Sequence, residues 1–292
     1  MKLISSIFSP TCHPSARCQP IRIFFFLFCL LNFNILFSQE KNFAVYLFKE
    51  DGSLTNDVKS AAYFMQQVKE NDTTYNCKFY RKNGPLFKWE TYLDSDLTTP
   101  NGRFAWYNME GKLDSMGFTY RGKKDSIWEY KFNKEYKAAI QEEYSKGRFL
   151  RQKNYLTHIT RDANGTTEPM NAIDSISFLS SSFESTKNSK PASFRGGGGG
   201  WARYLEGEIR MPDSDFLRTF PQSKATVIIS FNVSKEGKVS DLFIFQSQKY
   251  SLDMETIRLL KKCPDWIPAL KNGQPVGSTL RQSITYGDYS TY

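Results

Sequence analysis

Histidine is the side chain that most often moves protons or holds metals near neutral pH. It occurs only twice in 292 residues, as His13 and His158. His158 is a lone imidazole and reads as a surface or structural residue. The cysteines Cys12, Cys18, Cys29, Cys77 and Cys263 form no Cys-x-x-Cys pair and no Cys/His cluster, which argues against zinc. The acid pair Glu142-Glu143 has no asymmetry that would separate an acid from a base. The run Gly196–Gly200 is followed by no Lys-Ser/Thr and preceded by no strand, so it reads as a tether or chain reversal, not a phosphate loop. Lys146, Arg148, Arg151 and Lys153, with Phe149 and Tyr155 nearby, read as a solvated strand face. These residues assign no catalytic group, no cofactor-binding residue, no cofactor and no metal ligand. The chain reads as a binding protein, not an enzyme, and its chemistry is that of peptide groups and apolar faces.

The elements that must present those faces follow from composition. Hydrophobic residues make up 40% and charged residues 24%, ordinary globular usage that excludes both a disordered chain and a polytopic membrane protein. Aromatics reach 15%, with 24 Phe, 16 Tyr and 5 Trp, a bias toward pleated β surfaces where flat rings pack. The formal charge is +9, and removing Lys2, Arg17 and Arg22 of the leader, which holds no acid, leaves +6. Spread along the chain, this charge concerns solubility and gives no nucleic-acid signal.

Ile23–Ser38 is nearly apolar and lies behind Arg17 and Arg22. It is shorter than the ~20 apolar residues a spanning helix needs, and Asn32 and Asn34 interrupt it. Residues 1–38 therefore read as a secretory signal cleaved near Ser38, which sends the chain to the periplasm. Retention as an inner-membrane anchor is the alternative. Membrane contact is otherwise limited to the basic patch. Cys77 and Cys263 stay with the mature chain and read as free or buried thiols.

Behind the leader, composition separates an aromatic unit (39–159), a Ser-rich linker (160–193) and a second apolar-periodic unit (194–292). In the first, Asp57–Lys69 carries Val58, Ala61, Ala62, Met65 and Val68 at helical spacing, with Asn56 or Asp57 as cap, and predicts an amphipathic helix. Beyond it the sequence repeats: Tyr80–Gly84 recurs as Tyr107–Gly111, Thr91-Tyr92 as Thr119-Tyr120, and Tyr120–Gly122 as Tyr144–Gly147. The alternations Phe104/Trp106, Phe118/Tyr120 and Trp128/Tyr130/Phe132 put rings on one face of each strand. Asn83-Gly84 and Glu110-Gly111 supply positive φ for tight turns. The stretch from Asn101 to Phe132 resembles tandem MORN-type repeats over residues 77–155, with Asp125 where that family usually has Gly. The resemblance implies a β-meander used as a contact surface.

In the second unit, Lys224–Val233 and Val239–Gln246 read as strands about a turn at Lys235–Lys238. Ser251–Lys262 reads as a helix capped by Ser251 and stopped by Pro264. Val276–Tyr286 reads as a final strand, and Ala202–Ile209 as a short preceding helix. The whole chain is predicted to be α+β: an antiparallel meander with a helix, then a small two-layer ββαβ unit. This unit resembles the C-terminal domain of TonB-family energy transducers over residues 194–287. The resemblance rests on Phe194–Gly197, Pro212, Val227–Val233, Gly237–Val239, Gln246-Ser247, Leu252-Asp253, Pro264–Ala269 and Asn272–Val276.

The resemblance implies an exposed final strand that accepts an extended segment of an envelope or outer-membrane protein by strand addition. Contacts are expected at Ser278, Leu280, Gln282 and Ile284, or at the alternate positions between them. Arg210, Met211 and Pro212 stand where the family carries Gln-Tyr-Pro. The expected function is a periplasmic protein-binding role in TonB-linked transport, with no nucleic-acid partner. The alternatives are an anchored TonB-type transducer or an envelope scaffold without a transport role.

Overall fold

The structure is a computed structural model that describes residues 43–133, 137–171, 189–210 and 224–287. The expected signal sequence lies outside the described residues, and no described helix is long and apolar enough to cross a membrane.

The chain begins with β1 (Phe43–Phe48), β2 (Leu54–Thr55), β3 (Tyr63–Asn71), β4 (Thr74–Arg81), β5 (Leu86–Tyr92) and β6 (Pro100–Tyr107). It continues through β7 (Leu113–Tyr120), β8 (Lys123–Phe132), β9 (Ala138–Ser145), β10 (Arg148–Asn154), β11 (Ile159–Asp162) and β12 (Thr167–Pro169). From β3 to β12 each strand pairs with the next, an uninterrupted antiparallel meander, and β1 joins at the β3 edge with β2 outside it. Helix α1 (Gly197–Glu208), β13 (Lys224–Val233), β14 (Val239–Gln246), α2 (Tyr250–Lys262), β15 (Ala269–Lys271), β16 (Gln274–Val276) and β17 (Ser278–Gly287) follow. The large antiparallel sheet and the two helices among the described residues make the chain α+β.

Asp57–Lys69 is not a helix. Asp57 caps a turn, its carboxylate accepting from the N–H groups of Lys59 (2.9 Å) and Ser60 (3.2 Å). The residues from Tyr63 then run extended as β3, between β1 and β4. Met65 packs with Cys77 and Phe79, and Phe64 stacks on Tyr80. The helical stripe loses because these contacts need side chains on alternate faces, and Val58, meant for the helix core, is 63% exposed.

Other expectations change for equally local reasons. Gly197–Gly200 is the first turn of α1, not a tether, and the helix starts earlier than Ala202. Helix α2 starts at Tyr250 behind Lys249, so Ser251 lies inside it and does not cap it. The final strand is broken at Gly277 into β16 and β17. Gly111 takes the expected positive φ of 75°, whereas Gly84 does not, since Pro85 restricts the residue before it to extended backbone. Part of the segment read as linker is strand, with β11 and β12 extending the meander to Pro169. Ser193 pairs with Ile267 and Lys190 with Leu270, so the segment entering α1 is tied down as well.

The meander has two apolar faces. On one, Phe104, Trp106, Trp128 and Tyr130 form a chain of rings with centroids 5.9–6.5 Å apart. The other carries Tyr80, Leu86, Trp89, Ala105, Tyr107 and Leu113, which share one core with Phe243, Ile244 and Phe245 of β14 and with Leu252, Leu259 and Leu260 of α2. Phe132 leaves the alternation of Trp128 and Tyr130. Lys131 sits at φ 57°, and the turned ring meets Phe245 edge-on at 6.2 Å. Full burial of each such side chain contributes roughly 1.5–3 kcal/mol. The described residues therefore form one unit, in which the meander and the C-terminal elements share a core and are not separated by solvent.

Candidate functional site

The three-stranded sheet of the C-terminal region has the order β14-β13-β17. Val227, Ile229 and Phe231 of β13 are fully buried, because alternate β-branched and aromatic side chains point at α2. β17 pairs along its whole length with β13, from Lys224↔Gly287 to Val233↔Ser278. Among the described strands β17 has that one neighbour, so its other side is a sheet edge.

The opposite edge is occupied. Ser247, just beyond β14, donates its N–H to Gly111 O (2.9 Å), and Gln246 bridges to Lys112. Tyr107 Oη donates to Ile244 O (2.7 Å), and Leu86 N donates to Ser247 Oγ (2.8 Å). Gly111 is required here: a Cβ would collide with Ser247 O and Pro85 Cβ. The meander thus engages the C-terminal end of β14, whereas among the described strands only β13 pairs with β17.

Along β17 the burial alternates strictly. Ile284 and Tyr286 are fully buried and Ser278, Leu280 and Gln282 are half-buried, all on the core face, while Thr279, Arg281, Ser283 and Thr285 are exposed. The expected contact set Ser278, Leu280, Gln282 and Ile284 is therefore the inward set, and the alternate set is outward. On the outward side Thr279 Oγ1 donates to Asn232 Oδ1 (2.7 Å), whose amide donates to Asp241 Oδ2 (2.8 Å). The Arg281 guanidinium lies 4.1 Å from the centre of the Phe245 ring.

The end of β17 is fastened to α2, with Tyr286 Oη and Thr256 Oγ1 2.8 Å apart. Next to Thr256, the Glu255 carboxylate accepts from the Arg210 N–H (2.8 Å) and from Arg258. Arg210 is thereby positioned beside the same helix, its side chain exposed. Met211 and Pro212 lie outside the described residues.

A buried carboxyl ties the C-terminal region to the meander. Asp253 is fully buried at the start of α2 and accepts from Ser247 Oγ (2.6 Å), Tyr80 Oη (3.1 Å) and the Gln248 N–H (3.3 Å). Burial raises its pKa to about 7, and those hydrogen bonds oppose the shift. The periodicity of Leu252, Leu259 and Leu260 did not mark Asp253 as buried. Its nearest sequence signal is its place at a helix start, where a carboxylate suits the dipole.

The remaining reactive side chains have structural employment. Glu142 accepts from Tyr130 (3.0 Å) and Tyr144 (3.0 Å), and its other oxygen accepts from Gln152 (2.9 Å), while Glu143 pairs with Arg151 (2.6 Å). His158 lies on an exposed turn, its carbonyl bonded to Met170 N–H. Cys77 is buried in β4 and Cys263 caps α2, both free thiols. Among the described residues, no group of three or more His, Cys, Asp or Glu gathers to hold a metal ion.

Comparison with known families now bears on this geometry. Residues 222–287, the stretch that contains β13 to β17 and α2, match the family described as Gram-negative bacterial TonB protein C-terminal. The match begins beyond Phe194–Gly197 and Pro212, which contribute nothing to it. No curated protein and no solved structure matches the chain. The chain carries a TonB-type C-terminal domain, the domain of an envelope-associated family linked to transport.

Proposed function

We propose that this chain is an exported, non-enzymatic binding protein of the cell envelope. In this reading an extended segment of an envelope or outer-membrane protein adds to β17. The observation that carries it is the asymmetry of the small sheet: the meander bonds to the C-terminal end of β14, and among the described strands β17 has one neighbour. Main-chain bonds along β17 would supply affinity, and the outward residues Thr279 and Ser283, with Arg210 beside α2, would contribute selectivity. The inward residues Ser278, Leu280, Gln282 and Ile284 serve by holding the strand flat on its core. Met211 and Pro212 belong to the same proposed contact through their place in the sequence.

The meander, read as MORN-like, is the second half of the proposal. Its ring-lined face from Phe104 to Tyr130 is a scaffold surface, and its other face is spent on holding the C-terminal domain. Export through cleavage near Ser38 places the protein in the periplasm, and TonB-linked transport is the process it serves.

The test is site-specific photocrosslinking in the envelope of cells making the full chain, with the crosslinking side chain placed at Thr279 or Ser283, and at Lys235 as control. Crosslinks to an outer-membrane protein from Thr279 and Ser283, absent from Lys235, support the reading. Crosslinks equal at all three positions, or to no envelope protein, overturn it.

A further inference from the structure

Between the meander and the C-terminal region lies a cavity of about 400 Å³ that the edge-strand reading does not use. Its floor is Asn76, Lys78, Trp89 and Arg103 of the meander, and its far wall is β14 and α2, with Asp241 and Lys261. That volume lies within the ~300–1,000 Å³ usual for small-molecule sites.

Its electrostatics are unusual. Lys78 Nζ sits over the Trp89 ring, 4.3 Å from its centre. The Arg103 guanidinium lies between two rings, 4.4 Å from Phe243 and 5.5 Å from Phe118. Arg103 Nε is buried and has no hydrogen-bond partner. Among the described residues, Lys78, Arg103 and Lys261 meet no carboxylate within 4.0 Å. Two carboxylates share the cavity at longer range: Asp241, which bonds Asn232 and favours the Arg103 charge, and the exposed Glu70, which favours the charges of both Arg103 and Lys78. Holding cations partly out of water costs free energy unless an anion joins them, and an unmet buried donor adds to that cost. The apolar walls beside the charge are Trp89, which also packs on Phe243 at 5.3 Å, and the exposed ring of Phe118.

We propose that this cavity binds a small oxyanion, a carboxylate or phosphate, carried on a flat apolar body. The anion sits against Arg103 and Lys78, and the body lies along Trp89 and Phe118. Asn76 Oδ1 accepts from Trp89 Nε1 (3.1 Å) and Thr91 Oγ1 (2.8 Å), which holds that side chain in place in the floor. The site is separate from β17, so its failure leaves the strand-addition reading untouched.

Burial lowers the pKa of Lys78 to about 8, with Asp253 and Glu70 opposing the shift and Lys261 adding to it. An anion that needs the Lys78 charge should therefore bind more weakly at pH 9 than at pH 7.

The test titrates the full chain with phenyl phosphate, benzoate and neutral benzyl alcohol, reading tryptophan fluorescence and amide chemical shifts around Trp89. Saturable binding is expected for at least one anion and not for benzyl alcohol, and the better of the two anions names the group. Arg103→Gln should weaken it about tenfold or more, and Lys261→Gln, on the exposed side of α2, by about two- to fivefold. The Lys261 variant keeps the test open if the Arg103 variant fails to fold. Absence of saturable binding up to about 10 mM, equal binding of benzyl alcohol, or binding unmoved in folded variants overturns the proposal.

Discussion

Tyr80, on the fourth strand of the meander, donates its hydroxyl to the carboxyl of Asp253, 173 residues later at the start of α2, with 3.1 Å between the oxygens and both groups buried. Ser247 reaches the same oxygen from β14, so one carboxyl fastens sheet, strand and helix. Tyr80→Phe leaves the other partner buried and short of a bond. It is expected to cost about 1–3 kcal/mol in unfolding free energy, measured by urea denaturation.

The same carboxyl gives stability a pH slope. Its pKa is about 7 in the folded chain, against an ordinary 3.8, because burial disfavours the charged form. The folded state therefore holds a proton that the unfolded state has released. Unfolding free energy should fall as pH rises from about 4 to about 7, then level off as far as this group is concerned. In Asp253→Asn that fall should flatten. An unchanged slope in the variant would assign the pH dependence to other groups.

Gly117 lies directly under the indole of Trp128, where a Cβ would overlap the ring. Gly117→Ala must displace Trp128 from its packing against Trp106, and overpacking of this kind costs about 1–3 kcal/mol. A lowered melting temperature with a changed near-ultraviolet circular dichroism signal is the expected result.

On β17, core and surface roles separate by alternate residues. Ile284 is fully buried, and Ile284→Ala should cost about 2–5 kcal/mol of stability. Ser283, its exposed neighbour, should be within about 0.5 kcal/mol of the parent as Ser283→Ala. Comparing both variants by chemical denaturation checks which face is inward, independently of any partner.

Cys77 and Cys263 should differ in reactivity. Burial raises both thiols, that of Cys77 to about 12 with Glu90 adding to it, and Cys77 is fully shielded whereas Cys263 is half-buried at the end of α2. Alkylation at pH 8 followed by peptide mapping should modify Cys263 in the folded chain and Cys77 only on unfolding. Equal rates for the two would contradict the packing of β4.

What was legible in the residues was legible for a local reason. Val227, Ile229, Phe231 and Val233 alternate because one face of β13 meets a core, and the strand, its hairpin and α2 followed from that period. The Tyr–Gly recurrences marked the meander because Gly111, Gly122 and Gly147 each take the positive φ of a tight hairpin turn, with Gly84 the exception. The TonB-type domain was readable because its residues fall within one contiguous stretch, in which residues 222–287 match the family.

Other features depended on partners far away in the chain. Asp57–Lys69 has a helical stripe, yet β1 and β4 claim it on either side and turn it into strand. Phe132 changes face because Lys131 adopts a left-handed backbone that no spacing rule reveals. The joining of meander and C-terminal domain into one core, the burial of Asp253 and the cationic cavity arise from side chains over a hundred residues apart. Periodicity reports which face of an element is apolar. It is silent about which other element will cover that face, and here the covering element bonds to the end of β14 while β17, among the described strands, keeps a single neighbour.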